Sequence, residues 1–362
     1  MAKKRIGILT GGGDAPGLNA VIRAVVKSAW NIGWTVVGIK KGFEGLMNPE
    51  DARELSPADI AGILNVGGTI LGTTNRGNPF DYTVTEGGKT VKKDRSDDAV
   101  DGFKKLKLDA LVCIGGDGTL KIAERLKEKN IPIVGVPKTI DNDLSATVIT
   151  FGCDTAVSTA TDALDKLHST AQSHQRVMVV EVMGRYAGWI ALNSGIAGGA
   201  DVILIPEIPF NIEKVCEKVM QRYQNGSNFC IIIAAEGAKP AGGQMFTKDA
   251  KISGRQEVLL GGIAEWVAGE VFKRTGKETR ALVLGHLQRG GHPTTFDRLV
   301  ATRFGAAAVR AIKDGKFGVM VCLRPPNVTT VPLEEAIGKM KAVPLDSDEI
   351  TTGRNLGICF GD

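Results

Sequence analysis

Between Pro137 and Asp143 the chain reads Pro-Lys-Thr-Ile-Asp-Asn-Asp, which gathers an ammonium, a hydroxyl, an amide and two carboxylates into one short stretch. A turn needs only one Asx-type side chain, so this density exceeds what turn formation asks for. Moving a phosphoryl group asks for a base to take a hydroxyl proton, a metal ion, and cations on the group in transit. This stretch supplies candidates for the base and for one cation. A second stretch, Gly115-Gly116-Asp117-Gly118-Thr119, has glycines that admit phosphates to the backbone. Its carboxylate, Asp117, is placed to hold a hydrated Mg²⁺, while Thr119 also suits a helix cap. A third, Gly11-Gly12-Gly13-Asp14-Ala15-Pro16-Gly17-Leu18-Asn19, turns backbone N–H groups toward an anion at a helix start. No Gly-Lys-Ser/Thr follows it, so it is not a Walker loop, and alone it is also an ordinary tight turn.

Each of these loops follows a short apolar, β-branched run. Such runs recur at Arg5–Thr10, Thr35–Ile39, Ala110–Ile114, Pro132–Val136, Val177–Val182, Val202–Ile205, Phe229–Ala235, Ala281–Leu284 and Val319–Leu323. Between them lie helical patterns, among them Leu18–Asn31, Leu120–Glu128, Asp154–Ser169, Ile212–Tyr223, Gly261–Arg274 and Phe296–Ile312. Nearly continuous apolar strands alternating with helices predict an α/β fold with mainly parallel sheet covered on both faces. The strand–Gly-Gly-Asp–helix theme occurs twice, at Gly12-Gly13-Asp14 and Gly115-Gly116-Asp117. The polar stretch Tyr82–Val100 is expected to be an exposed hairpin or loop insertion.

A length of 362 residues suggests two domains. The net charge is only +5 and aromatics are 5%, which argues against a nucleic-acid-binding face. The dense basic run Lys89–Arg95 reads as a solvated loop. The six cysteines form no CxxC pair, and four lie in or beside apolar runs as small core residues. No signal-peptide pattern opens the sequence and no apolar run reaches membrane-spanning length. The expectation is a reducing, cytoplasmic setting without membrane or nucleic-acid partners.

The three loops, in this order and spacing, resemble the phosphofructokinase family. Later segments agree: Ser173-His174-Gln175-Arg176, Glu181-Val182-Met183-Gly184-Arg185, Glu236-Gly237, Glu278-Thr279-Arg280 and Gly285-His286-Leu287-Gln288-Arg289-Gly290-Gly291. The resemblance spans roughly residues 3 to 320. It implies two Rossmann-like α/β domains with the active site in the cleft between them. By analogy, residues 1–152 plus 288–338 carry the donor, and 153–287 plus 339–362 carry the sugar phosphate. The implied activity is transfer of the γ-phosphoryl of ATP, with Mg²⁺, to the 1-hydroxyl of fructose 6-phosphate.

Residue by residue, the resemblance makes Asp141 the general base and Asp143 its neighbour that tunes or orients it. Asp117 binds Mg²⁺. Thr139 touches the transferred group or the sugar, with Ile140 beside it, and Lys138 offsets charge. Gly13, Arg76, Gly77 and the Gly116, Asp117, Gly118, Thr119 loop contact the donor phosphates, and Arg76 also neutralises transition-state charge. Met183, Gly184, Arg185 and Glu236 hold the sugar phosphate, joined by the turn His286, Leu287, Gln288, Arg289. Arg176 and Arg280 reach in from a neighbouring subunit, which implies at least a dimer and usually a tetramer. Arginine suits that task because its fork meets phosphate oxygens bidentately.

Two positions bear on the donor. Gly118 leaves room for the α-phosphate of ATP, where a family Asp would favour pyrophosphate, whereas Lys138 matches the pyrophosphate enzymes. The mixture points to ATP as main donor, since an absent carboxylate cannot repel a nucleotide. At the family's effector site Arg23 fits the pattern and Lys27 keeps its charge. His168, Asp201, Asn225 and Ser227 depart from it, which predicts weak or absent regulation by ADP or phosphoenolpyruvate. An NAD or lipid kinase also uses Gly-Gly-Asp-Gly but lacks the 183–185 and 286–289 segments. A Rossmann oxidoreductase would need Gly-x-Gly-x-x-Gly and an acidic end to the second strand, where Val37-Gly38-Ile39-Lys40 ends basic. A non-catalytic relative would be expected to lose Asp141 or Asp117.

Overall fold

The computed structural model describes residues 3–86, 89–247 and 260–362. Its strands are β1 (Arg5–Thr10), β2 (Thr35–Ile39), β3 (Arg53–Leu55), β4 (Tyr82–Glu86), β5 (Lys89–Lys93), β6 (Ala110–Gly115), β7 (Ile133–Pro137), β8 (Val177–Val182), β9 (Val202–Leu204), β10 (Cys230–Ala235), β11 (Thr279–Val283), β12 (Val319–Arg324) and β13 (Asn327–Pro332). The α-helices are α1 (Leu18–Trp30), α2 (Phe43–Met47), α3 (Ser96–Lys105), α4 (Asp117–Glu128), α5 (Cys153–His174), α6 (Trp189–Ala197), α7 (Ile212–Gln224), α8 (Ile263–Thr275), α9 (Thr295–Lys313), α10 (Leu333–Ile337) and α11 (Asp348–Asn355).

Two sheets organise them. A seven-stranded sheet runs β13-β12-β7-β6-β1-β2-β3, parallel except for the antiparallel edges β3 and β13. A four-stranded sheet runs β11-β8-β10-β9, parallel throughout. Strands such as Ala-Leu-Val-Cys-Ile-Gly in β6 are buried along their whole length because helices cover both faces. One face of the large sheet meets α1 and α9 through Val25, Phe304 and Ile312. Leu46, Leu120 and Leu333 of α2, α4 and α10 fill the other. On the small sheet, Leu164 and Ile190 of α5 and α6 pack on one face, and Val219 and Val267 of α7 and α8 on the other. The chain leaves the large sheet after β7, builds the small one, and returns with β12 and β13 before α11 packs back onto α6.

The differences from the sequence reading have local causes. Tyr82–Val100 is a hairpin only through β5, and α3 begins at Ser96, whose side chain and that of Ala99 are buried. Strand β11 starts at Thr279, two residues earlier than its apolar run suggested, because it is an edge strand exposed over its last four residues. Strands β3 and β13 are short or polar and carry no apolar run. Five of the six cysteines are buried, Cys359 is partly buried, and all are free thiols. Among the described residues no helix is long and apolar enough to cross a membrane.

Candidate active site

The predicted loops converge at the C-terminal ends of the parallel strands. In the large sheet β1 lies between β6 and β2, so successive connections depart in opposite directions and open a crevice beyond β1 and β6. The Gly11–Gly17 loop leaves β1, the Gly116 loop leaves β6, and the Lys138–Asp143 segment leaves β7. Backbone bonds lock them side by side. The Gly11 amide donates to the Ile114 carbonyl at 2.9 Å, Gly12 to Thr74 at 2.9 Å, and Lys138 to Gly115 at 2.9 Å. Gly12 takes φ 77°, in the left-handed region that favours glycine.

Lys138 is only 4% exposed, and its ammonium donates to the Gly13 carbonyl. Burial lowers its pKa to about 8, with the Arg289 cation adding to the push and Asp14, Asp143 and Asp141 opposing it. Asp141 and Asp143 each enclose one carboxylate oxygen, Oδ1, that has no hydrogen-bond partner. Such groups are costly unless a ligand completes them. Burial first, then the like charge of Asp143, pushes the Asp141 carboxyl up to about 7; Glu236 adds to this while Arg289 and Lys138 oppose it. Asp143 is raised as well, by burial and by Asp117, against a hydrogen bond from Thr139. This is the electrostatic pattern expected of a base poised near neutral pH.

The loop is braced from behind. The Asp141 amide donates to Thr139 Oγ1 at 3.1 Å. Asn142, at φ 51°, accepts from the Thr150 amide at 3.1 Å. Thr150 Oγ1 donates to the Thr139 carbonyl at 2.7 Å. Ile140 is fully buried in the small-sheet core, which fixes the backbone beneath Asp141.

On the facing side, β8 leads out into Met183-Gly184-Arg185 and β10 into Glu236. The Glu236 amide donates to Val182 at 2.8 Å, and a Cβ on Gly237 would lie 1.9 Å from the Arg185 carbonyl, so that approach admits only glycine. Gln288 is fully buried; its amide accepts from the Met183 amide at 3.3 Å and donates to Gly285 at 3.1 Å. It thereby ties the 183–185 segment to the 285–289 turn. From that turn Arg289 donates to the Asp14 carbonyl at 3.0 Å, while His286 and Leu287 are exposed.

Gly13, Asp117, Lys138, Thr139, Asp141, Asp143, Glu236 and Arg289 thus form one cluster. Arg76 stands exposed, its amide donating to Thr74 Oγ1 at 3.0 Å, next to Gly77. Asp117 pairs with Lys121 at 2.7 Å. Arg176 and Arg280 stand apart as an ion-pair group of their own on Glu278. The sequence reading missed Asp14, although the repeated Gly-Gly-Asp theme marked it. It also missed Asn142 and Thr150, whose long-range pairing has no local signal.

A match to the family described as phosphofructokinase covers residues 5–312. The chain belongs to the phosphofructokinase family. Among phosphofructokinase relatives, the ATP-dependent 6-phosphofructokinase of Chloroflexus aurantiacus is 55% identical over 99% of this chain and 98% of its own length. The pyrophosphate--fructose 6-phosphate 1-phosphotransferase of Amycolatopsis mediterranei is 52% identical over 94% of this chain and 97% of its own. The solved phosphofructokinase of Saccharomyces cerevisiae superimposes with a TM-score of 0.80 at 31% identity, covering 93% of this chain. This chain spans 45% of that one. The family carries both donor types at similar identity, so overall likeness does not choose between them.

Proposed function

We propose that this chain is an ATP-dependent 6-phosphofructokinase of glycolysis, forming fructose 1,6-bisphosphate from fructose 6-phosphate. The observation that carries the reading is the enclosed, partnerless oxygen of Asp141, in a carboxyl raised toward neutrality and faced by Lys138, Arg289 and Asp143. In the proposed reaction Asp141 takes the proton of the sugar 1-hydroxyl as that oxygen forms its bond to the γ-phosphorus. The bond to the bridging oxygen breaks and ADP leaves with the electron pair. Lys138 and Arg76 offset charge on the group in transit. Gly13, Gly77, Gly116, Gly118 and Thr119 line the donor phosphates. Thr139, Ile140, Met183, Gly184, Arg185, Glu236, His286, Leu287, Gln288 and Arg289 form the sugar-phosphate side.

Asp117, whose charge helps raise the neighbouring Asp143 carboxyl, is the hard oxygen donor that suits Mg²⁺, which would neutralise charge on the donor phosphates when bound. We assign the donor to residues 1–152 plus 288–338 and the sugar phosphate to 153–287 plus 339–362. The enzyme is proposed to work in the cytoplasm as a homo-oligomer, a dimer or larger, with Arg176 and Arg280 donated across the interface. The exposed edge strand β11, with Leu282 and Val283 open beside Arg280, supports that last assignment.

Pyrophosphate is the second reading, favoured by buried Lys138. The deciding position is Gly118, where an added Cβ meets nothing within 4 Å. A coupled assay with each donor tests the reading: turnover is expected to be faster with ATP, and faster turnover with pyrophosphate overturns it. Gly118→Asp has space and suits a helix N-terminus. It is expected to cut kcat/KM for ATP by about tenfold or more while sparing pyrophosphate, because the added charge repels only the larger donor's α-phosphate.

A further inference from the structure

Helix α9 opens with Thr294-Thr295-Phe296-Asp297, the pattern of a capping box. The first half of the box is present: Thr294 Oγ1 accepts from the Asp297 amide at 3.2 Å. The second half goes elsewhere. In place of an internal partner, the Thr294 amide donates to Thr155 Oγ1, at 3.0 Å. Asp297 turns away to accept from the Thr155 amide at 2.8 Å and the Thr155 hydroxyl at 2.6 Å. The Thr294 hydroxyl completes the exchange by donating to Asp154. Two helix N-termini, α5 on the small sheet and α9 on the large one, are therefore knotted by four side chains. Asp297 is fully buried and its Oδ1 is enclosed without a partner, so the carboxylate is held at a cost that a simple cap does not require.

The two chain segments that meet in this knot lead directly to the candidate site. Upstream of α5, Phe151 bridges to Lys138, Thr150 bonds to Thr139 and Asn142, and a Cβ on Gly152 would sit 3.3 Å from Ile140. Upstream of α9, the chain runs back through His292, bonded to the Asn65 carbonyl, to Arg289. Arg289 is one of the cations that hold the Asp141 carboxyl down, alongside Lys138 and against Asp143 and Glu236. We infer that Thr155 and Asp297 are positioning residues that set the placement of the Asp141 loop relative to the Arg289 turn. The inference rests on the proposed role of Asp141.

The test uses the intact enzyme with Thr155→Val, which keeps the shape and removes the hydroxyl, Thr155→Ser, which keeps the hydroxyl, Asp297→Asn and the Thr155→Val/Asp297→Asn pair. Thermal midpoint, kcat, both KM values and the pH profile of kcat/KM are measured well below each midpoint. Thr155→Val and Asp297→Asn are expected to lower kcat by about tenfold or more, since small misplacements of reacting groups are expensive. Both should move the acid limb of the profile to higher pH, because Arg289 no longer favours the ionised Asp141. Thr155→Ser should restore the wild-type limb, and the double variant should be no worse than the poorer single one. If Asp297→Asn fails to fold, Thr155→Val against Thr155→Ser decides. Unchanged kcat and an unmoved limb in folded Thr155→Val overturn the inference, as do additive effects in the double variant. Asp141→Ser is measured alongside: an active Asp141→Ser sinks the base assignment, whereas an inactive one with wild-type Thr155→Val sinks only the knot.

Discussion

The two charged regions of this protein are built in opposite ways. Around Asp141 a lysine is buried, the carboxylates are half-buried with two enclosed oxygens that lack partners, and the pKa values are displaced toward neutrality. Around Glu278, two arginines share one carboxylate at the open edge of the small sheet, with side-chain exposures of 25% for Arg176 and 56% for Arg280. There the Glu278 carboxyl is lowered, first by its hydrogen bond to Arg176. The first region holds its charges in a strained arrangement before any ligand arrives, as preorganised catalysis requires. The second pairs its charges near the surface, although Arg176 Nε is enclosed without a partner, and such a pair can exchange one anion for another at little cost. The same contrast separates what folding fixes from what a partner subunit or substrate can recruit.

The largest expected effect breaks the first region. Asp141→Ser should lower kcat by about 10²–10⁴-fold with KM for fructose 6-phosphate little changed. Unchanged turnover would remove Asp141 from the role. The variant also carries a stability signature. A carboxyl whose folded pKa is raised binds its proton more tightly in the folded state, so it destabilises the fold increasingly as pH rises from the ordinary carboxylate range to about 7. Removing it should therefore raise the thermal midpoint at pH 8 relative to wild type, and do so less at pH 5. An equal change at both pH values would show that Asp141 is not strained.

A smaller effect lies in the pH dependence of the wild-type enzyme. If Asp141 is the base it acts ionised, so kcat/KM should fall about tenfold per unit below about pH 7. In the proposed reaction Lys138 acts charged, so a second decline should begin above about pH 8. A Lys138→Met variant should lose the alkaline limb. If that limb persists unchanged, some other group produces it.

Much of this contrast was legible in the sequence, for a physical reason. Buried parallel strands must be apolar throughout, so β1, β6, β7, β8 and β10 announced themselves, and the loops at their ends carried the candidate site residues. Edge strands escape that requirement, which hid β3, β13 and the start of β11. The density of polar groups in Pro137–Asp143 marked the proposed base loop, yet nothing local revealed that Asn142 would be pinned by Thr150. Nor did it show that Arg289 would reach the Asp14 carbonyl 275 residues away. Long-range pairing of this kind depends on the return of the chain to the large sheet, and a local period does not encode it.

The positions that depart from the family's effector pattern are likewise committed to the fold. His168 is engaged with the Gly198 carbonyl at 2.7 Å and stacks edge-on against Phe229. Asp201 pairs with Arg222 at 3.0 Å and accepts from the Ile231 amide. These groups serve the fold of the small sheet and are not free to meet a polyanion. Velocity against fructose 6-phosphate should thus show less than about a twofold change in half-saturation with added phosphoenolpyruvate or ADP. A strongly sigmoidal response would contradict it.

The smallest expected effect probes the second region. Glu278→Gln releases Arg176 and Arg280 from their shared carboxylate without altering shape. Exposed ion pairs contribute little to stability, so the thermal midpoint should move by no more than a degree or two, roughly. If the two arginines meet the sugar phosphate of a neighbouring subunit, Glu278 competes with that phosphate. Its neutralisation should then change KM for fructose 6-phosphate by about two- to threefold while leaving kcat and the KM for ATP alone. High salt should shrink the difference, because the competition is between solvent-exposed charges. An unchanged KM at low salt would leave Arg176 and Arg280 as surface ion pairs, and the active site would then be complete within one subunit.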